Sequence, residues 1–246
     1  MVESSIGIQI DDVYKRLRTT QALSGASTMF EPERLHGLIG PEGAGKTTLL
    51  RSVVGFLRPD SGEIRFTDQE HPISFDSVRP EMAYMPQQQS LYPDLSIEEH
   101  LKFFQKLYGV PEQLYVEKST ELLRITRLEK FRDRPAGKLS GGMYKKLGLM
   151  CALLRSPSVI LLDEPTNGVD PISRREFWEL LYSLSEGHIL IIVATAYMDE
   201  AERCDHVHLL DRGQVIAHGE PRALLEGEGV SSFDELFIRR EQGENS

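Results

Sequence analysis

Residues 40–48, Gly-Pro-Glu-Gly-Ala-Gly-Lys-Thr-Thr, leave this chain few architectures to choose from. A glycine, four residues and then Gly-Lys-Thr is the pattern of a phosphate-cradling loop, which works only between a buried strand and a helix start. Gly40, Gly43 and Gly45 let the backbone turn tightly with N–H groups aimed at an anion. Pro41, Glu42 and Ala44 complete the cradle. Lys46 adds a compact charge on a flexible stem, able to reach β- and γ-phosphates. The Thr47 hydroxyl suits a Mg²⁺ ion, and Thr48 can donate to an α-phosphate. The flanks agree. Residues 35–39 read as a short buried strand, and residues 47–56 as a helix whose N-terminus faces the phosphates.

Composition narrows the classes further. The chain's 246 residues suffice for one large α/β unit or two small lobes with ample core, and 40% hydrophobic and 27% charged content is ordinary for a soluble globular protein. A net charge of −10 argues against a nucleic-acid partner, since phosphate contacts need a basic face. Cys151 and Cys204 lack metal-ligand spacing and read as reduced, half-buried thiols in a cytosolic protein. The longest apolar run, residues 189–194, is far short of the roughly 20 residues of a membrane span. The N-terminus does not read as a signal peptide. Work at a membrane therefore requires a partner that supplies the span.

Along the chain, residues 6–10 alternate as a half-buried strand, followed by the basic segment 15–18. Residues 26–30 suggest another strand before Pro32. Residues 58–62 are a turn, 63–66 a short strand and 68–76 polar loop. Residues 82–85 read as a strand followed by Gln87, Gln88 and Gln89. From Ser96 to about Leu128 the character is helical: one helix begins near Ser96 and ends at 109–111, and a second covers 113–125. Leu139 to Met143 open a helix running to about Leu154. Residues 159–162 form a continuous apolar run ending in Asp163 and Glu164, as expected of a central parallel strand. A helix at 173–184, a buried strand at 189–193, a helix starting at 199–204, and a hairpin of 207–211 and 214–217 around Arg212-Gly213 complete the pattern. From Pro221 on the tail reads as short helices, frayed by Gly243.

Five patterns thus stand in fixed order: the loop at 40–48, Gln87 after a strand, Leu-Ser-Gly-Gly at 139–142, an apolar strand plus Asp-Glu at 159–164, and Asn-Gly-Val-Asp at 167–170. Together they resemble the ATP-binding cassette of ABC transporters over nearly the whole chain. Met143, the run Tyr197 to Ala201 and the tail from Phe233 to Ile238 resemble the ABC-2, drug-export branch, specifically the first cassette of tandem-cassette ATPases. The resemblance implies a P-loop NTPase α/β fold: a RecA-like core at about 6–90 and 139–220 with an antiparallel β subdomain, a helical insert at about 91–138, and a tail at 221–246. It implies a head-to-tail dimer, homo- or heteromeric, in which each ATP lies between one cassette's P-loop and the other's Leu139, Ser140, Gly141, Gly142 and Met143. At a helix N-terminus, Ser140 and the N–H groups of Gly141 and Gly142 make sense as a second anion pocket, though a plain Ser N-cap would look the same.

The resemblance also assigns roles. Asp163 lies near Mg²⁺, and Thr47 and Gln87 help hold the ion. Glu164 is the general base for the attacking water, a role generally worth about 10²–10⁴-fold. Gln87 senses the γ-phosphate, with Gln88 and Gln89 as adjacent candidates. Asp170 bridges the dimer seam, caps a helix ahead of Pro171, or does both. The sequence departs from the family twice. Most cassettes carry a histidine where Ala196 stands, and no other histidine can be shifted into that slot. The usual adenine-stacking aromatic is replaced by Leu17, with Tyr14 pointing elsewhere if the segment is extended. The expectation is a cytoplasmic subunit, peripheral on the inner face of the cell membrane, that binds Mg-ATP and powers an exporter with a membrane permease, its own site weakened by Ala196. The alternatives are a soluble ATPase acting on the ribosome and a non-hydrolysing regulatory cassette. A coiled-coil chromosome ATPase is disfavoured because no heptads separate Thr47 from Ser140.

Overall fold

A computed structural model describes residues 5–88 and 90–243. Gln89 and the two ends lie outside the described residues. In chain order the elements are β1 (Ile6–Leu17), β2 (Thr20–Phe30), β3 (Leu35–Ile39), α1 (Lys46–Val53), β4 (Ser61–Asp68), β5 (His71–Ile73), α2 (Phe75–Val78), β6 (Met82–Met85), α3 (Ile97–Tyr108), α4 (Glu112–Thr126), α5 (Gly141–Leu153), β7 (Val159–Asp163), α6 (Pro171–Ser185), β8 (Leu190–Thr195), β9 (His206–Asp211), β10 (Gln214–Gly219), α7 (Pro221–Glu228) and α8 (Phe233–Gly243).

Two sheets carry the architecture. A six-stranded sheet has the order β10-β9-β3-β8-β7-β6, parallel except for β10, and a four-stranded antiparallel sheet has the order β2-β1-β4-β5. The central strands bury both faces, so their sequences are continuous apolar runs rather than alternating ones. On β7, Val159 and Leu161 join the core shared with α1 and the antiparallel sheet. Ile160 and Leu162 face the opposite core, built with α3 to α6.

Several boundaries differ from the sequence expectation for local reasons. Strand β1 runs on to Leu17 because a bulge at Asp12, with φ of 49°, absorbs the break in alternation and leaves Val13 buried. The basic segment 15–18 is therefore the end of this long strand and the turn after it. Strand β2 likewise starts earlier than expected, at Thr20. The stretch expected as polar loop at 68–76 contains β5 and the start of α2, whose N-cap Ser74 accepts from Ser77 N. Helix α6 begins at Pro171 because Asp170 caps it and proline suits the first turn. After β8 the chain makes a 3-10 turn at Met198–Arg203 rather than an α-helix. Ser96 and Glu99 form a reciprocal capping box at the start of α3. Both thiols are fully buried rather than half-buried, Cys151 at 3% and Cys204 at 7% exposure.

Where the sheets meet, His36 and His208 form a buried chain. His36 Nε2 lies 2.9 Å from the Glu31 carbonyl, which can only accept, so that nitrogen carries the hydrogen. His36 Nδ1 then accepts from His208 Nε2 at 3.0 Å, and His208 Nδ1 accepts from the Thr28 hydroxyl at 2.6 Å. Every position is satisfied with both rings neutral. Burial holds His36 down at about 4, against the raising effect of the Glu31 bond, and burial also holds His208 well below its ordinary value. The unfolded chain takes up protons here below pH about 6.5 and the folded chain does not. Stability is thus full above that pH and drains as pH falls toward 4, by up to about 1.4 kcal/mol per pH unit for each ring. Urea midpoints should fall measurably between pH 7 and 5, before most carboxylates protonate. A flat midpoint across that window would show that these rings do not stay neutral.

Candidate functional site

The C-terminal ends of β3, β6, β7 and β8 converge on one cleft, as expected for a parallel sheet. Its volume is about 350 Å³, and Gly43, Lys46, Thr47, Gln87 and Glu164 line it, with Thr20 and Ala22 of β2 on one wall. The loop after β3 reaches α1 through Gly45 at φ 110°, where a Cβ would stand 2.4 Å from the Ala22 carbonyl oxygen. Only glycine tolerates that combination. Lys46 is 5% exposed and folds back over the loop, its Nζ donating to the Gly40 and Pro41 carbonyls at 2.7 and 3.0 Å.

The same ammonium lies 3.2 Å from Glu164 Oε1, both side chains being nearly fully buried. Glu164 Oε2 accepts from the Ala196 N–H at 3.3 Å. Glu164 has φ of 49°, a left-handed backbone imposed where β7 ends. Beside it, Asp163 is fully buried with both oxygens occupied: Thr47 Oγ1 donates to Oδ1 and Tyr84 Oη to Oδ2, each at 2.9 Å. Burial pushes the Tyr84 phenol up to about 12, helped by the Asp163 charge and opposed by Arg51, so it stays a donor. The Thr47 hydroxyl and the Asp163 carboxylate form a hard-oxygen pair of the kind that suits Mg²⁺. Gln87 stands exposed just beyond β6.

The other expected residues fall elsewhere. Ser140 caps α5, its Oγ accepting from Met143 N at 3.3 Å. Ser140 and Gly141 are exposed, and residues 139–143 do not line the cleft. Gly142 is held by close packing: a Cβ there would meet Ser173 Cβ at 2.5 Å, so the N-termini of α5 and α6 abut. Asp170 accepts from the N–H groups of Ile172 and Ser173, as an N-cap does. Leu17 pairs with Thr20 at the hairpin end, 39% exposed, and is not brought to the cleft wall. Tyr14 is extended and its hydroxyl lies against Gly25.

Sequence reasoning missed Tyr84, whose place beside Asp163 follows from the β6–β7 register, and Lys145. The Lys145 ammonium reaches the Gln87 and Glu164 carbonyls, both at 3.3 Å, and burial lowers its pKa against the raising effect of Asp163 and Glu164. Neither contact has a local sequence signal. Among the described residues, no three His, Cys, Asp or Glu side chains gather as a metal cluster, the histidines between the sheets included.

The profile of the family described as ABC transporter matches residues 23–167. The "Probable multidrug ABC transporter ATP-binding protein YbhF" of Escherichia coli (strain K12) is 44% identical over 203 residues, 80% of this chain and 34% of that protein. The chain therefore spans about a third of that relative's length. The "Nod factor export ATP-binding protein I" of Burkholderia orbicola (strain AU 1054) is 37% identical over 231 residues, 94% of this chain and 76% of that one. The solved structure titled "Structure of ATP binding subunit of ABC transporter" superposes with a TM-score of 0.81 at 28% identity, covering 94% of this chain and 98% of that one.

Proposed function

The chain belongs to the ABC transporter family and has the P-loop cassette fold, and from that premise we propose that it is an ATP-hydrolysing subunit powering export through a membrane permease. The observation that carries the reading is the meeting of Lys46, Thr47, Asp163 and Glu164 in one cleft. A triphosphate entering the cleft offers Lys46 a denser negative charge than Glu164 does. Lys46 turns to the β- and γ-phosphates, and Glu164 is released to accept a proton from the attacking water. Thr47, Asp163 and Gln87 would hold Mg²⁺, which when bound neutralises charge on the phosphates. Residues 40–48 cradle the phosphates, and Leu17, at the exposed hairpin end, offers an apolar contact to the base.

Leu139 to Met143 lie outside this chain's own cleft, with Ser140 and Gly141 exposed, which supports their serving a second cassette's ATP, with Asp170 at the seam. The apolar side chains Phe56, Tyr92 and Leu107, 68%, 54% and 62% exposed, support docking of the permease near the helical insert. On this reading the core spans about 6–90 and 139–220, the helical insert about 91–138 and the tail about 221–246. No helix among the described residues is long and apolar enough to cross a membrane. On this reading the cassette is peripheral on the inner membrane face and contacts no nucleic acid. That the match covers only 34% of the E. coli relative supports a cassette that works within a longer chain, and the first cassette of a tandem ATPase is the reading we propose.

Ala196 favours a weakened or regulatory site, since a methyl group cannot donate to the γ-phosphate. Only the backbone N–H at 196 reaches Glu164. Loss of one transition-state donor typically costs about 10²–10³-fold. Ala196→His is therefore expected to raise single-cassette phosphate release at least about tenfold. Wild-type turnover at the ordinary family rate, unchanged by the substitution, would sink the idea of a weakened site.

A further inference from the structure

Glu200 is a fully buried carboxylate outside the cleft. Its Oε1 accepts from Thr166 Oγ1 at 2.8 Å, Arg174 Nε at 2.6 Å and Trp178 Nε1 at 2.8 Å. Its Oε2 is buried and meets no protein donor. The donors come from two elements: Thr166 from the loop after β7, just past Glu164, and Arg174 and Trp178 from α6, the helix Asp170 caps. Glu200 itself stands in the 3-10 turn after β8, just past Ala196. Arg174 binds Asp199 with Nη2 at 2.8 and 2.9 Å from the two carboxylate oxygens and lies 4.3 Å over the Tyr197 ring. A closed ring of contacts thus runs from Glu164 through Ala196, Tyr197, Arg174 and Glu200 to Thr166, and back.

Burying an anion is costly, and apolar packing of the same shape would serve stability as well or better. A carboxylate here gains something else. Three donors crowd one oxygen while the other meets none, the asymmetry that an element with two arrangements would use. We propose that Glu200 is a positioning residue that couples the loop after β8, whose Ala196 N–H bonds Glu164 of the cleft, to the loop after β7 that carries Asp170, so that filling the cleft moves the seam. This inference rests on the ATP-cassette reading above.

The molecule carries its own reporter. Trp178 is the single tryptophan of the 246 residues, and its indole N–H is bonded to Glu200. The test titrates the full chain carrying Glu164→Gln with Mg-ATP, reading Trp178 emission, bound radiolabelled ATP and light scattering separately. The parent should bind ATP, change emission and dimerise. Adding Glu200→Gln should leave the ATP Kd within about threefold, yet cut both the emission change and the dimer yield by at least about threefold. Thr166→Val should do the same and Thr166→Ser should not, which decides the matter even if Glu200→Gln fails to fold. Parental responses in Glu200→Gln or Thr166→Val, with only a lower unfolding midpoint, would make the ring structural and overturn the proposal. Absence of ATP occupancy in the parent would overturn the cassette reading, and this inference with it.

Discussion

Replacing Glu164 with glutamine is expected to cut ATP turnover by about 10²–10⁴-fold while nucleotide binding is kept or tightened. A glutamine amide cannot take the proton of the attacking water. It also competes less well for Lys46, which lies 3.2 Å from Glu164 Oε1 and is held by the Gly40 and Pro41 carbonyls as well. The triphosphate then meets an ammonium that no carboxylate claims. ATP should accumulate uncleaved, and because Leu139 to Met143 do not line this chain's own cleft, a second copy should close over it. Light scattering with Mg-ATP should show a dimer that disappears when the nucleotide is removed. Turnover at the wild-type rate would remove Glu164 from the role of base, and absence of any nucleotide-dependent dimer would count against the two-cassette sandwich.

Lys46→Met should have two separable effects. Binding of ATP should fall by two or more orders of magnitude, since the charge facing the β- and γ-phosphates is gone; this is about 3 kcal/mol or more. The folded state should also weaken, for a reason unrelated to nucleotide. Glu164 is nearly fully buried, and without Lys46 its carboxylate keeps, among the described residues, the long bond from the Ala196 N–H and the more distant charge of Lys145. Removing one partner of a buried pair costs on the order of 3 kcal/mol, because the other charge stays behind without its direct partner. Lys46→Met combined with Glu164→Gln should therefore recover most of the stability and none of the binding. Urea unfolding and binding of a labelled ATP analogue measure the two effects independently. Equal unfolding midpoints for the single and double variants would deny the coupling, and unimpaired ATP binding by Lys46→Met would deny that the cleft is the triphosphate site.

Much of this site was legible before any coordinates. The strand-loop-helix around Lys46 follows from glycine spacing and the apolar residues ahead of it, and α1 starts at Lys46 itself. The apolar run ending in Asp163 and Glu164 could only be an inner strand, and β7 is buried along its whole length. Ser96 and Glu99 announce α3 by their spacing. The double role weighed for Asp170 left the helix cap readable, and the cap is present. These are short-range rules, in which the residues that decide are neighbours in the chain.

Other features depended on partners far apart in sequence. Tyr84 reaches Asp163 because β6 and β7 lie in one register, which pairs Tyr84 with Leu161. The link between His36 and His208 spans two strands that a sequence gives no means of aligning. That Thr20 and Ala22 of β2 form one wall of the cleft follows from the course of the hairpin, which no local pattern announces. Glu200, an ordinary acidic residue in a polar run, becomes a buried hub only when α6 packs over it. Local backbone chemistry determined the elements, the order of the motifs and the chemical character of the cleft. Which side chains meet there, and which stay apart, was decided only by strand register and helix packing, because those arise from the simultaneous burial of surfaces that no single stretch of chain contains.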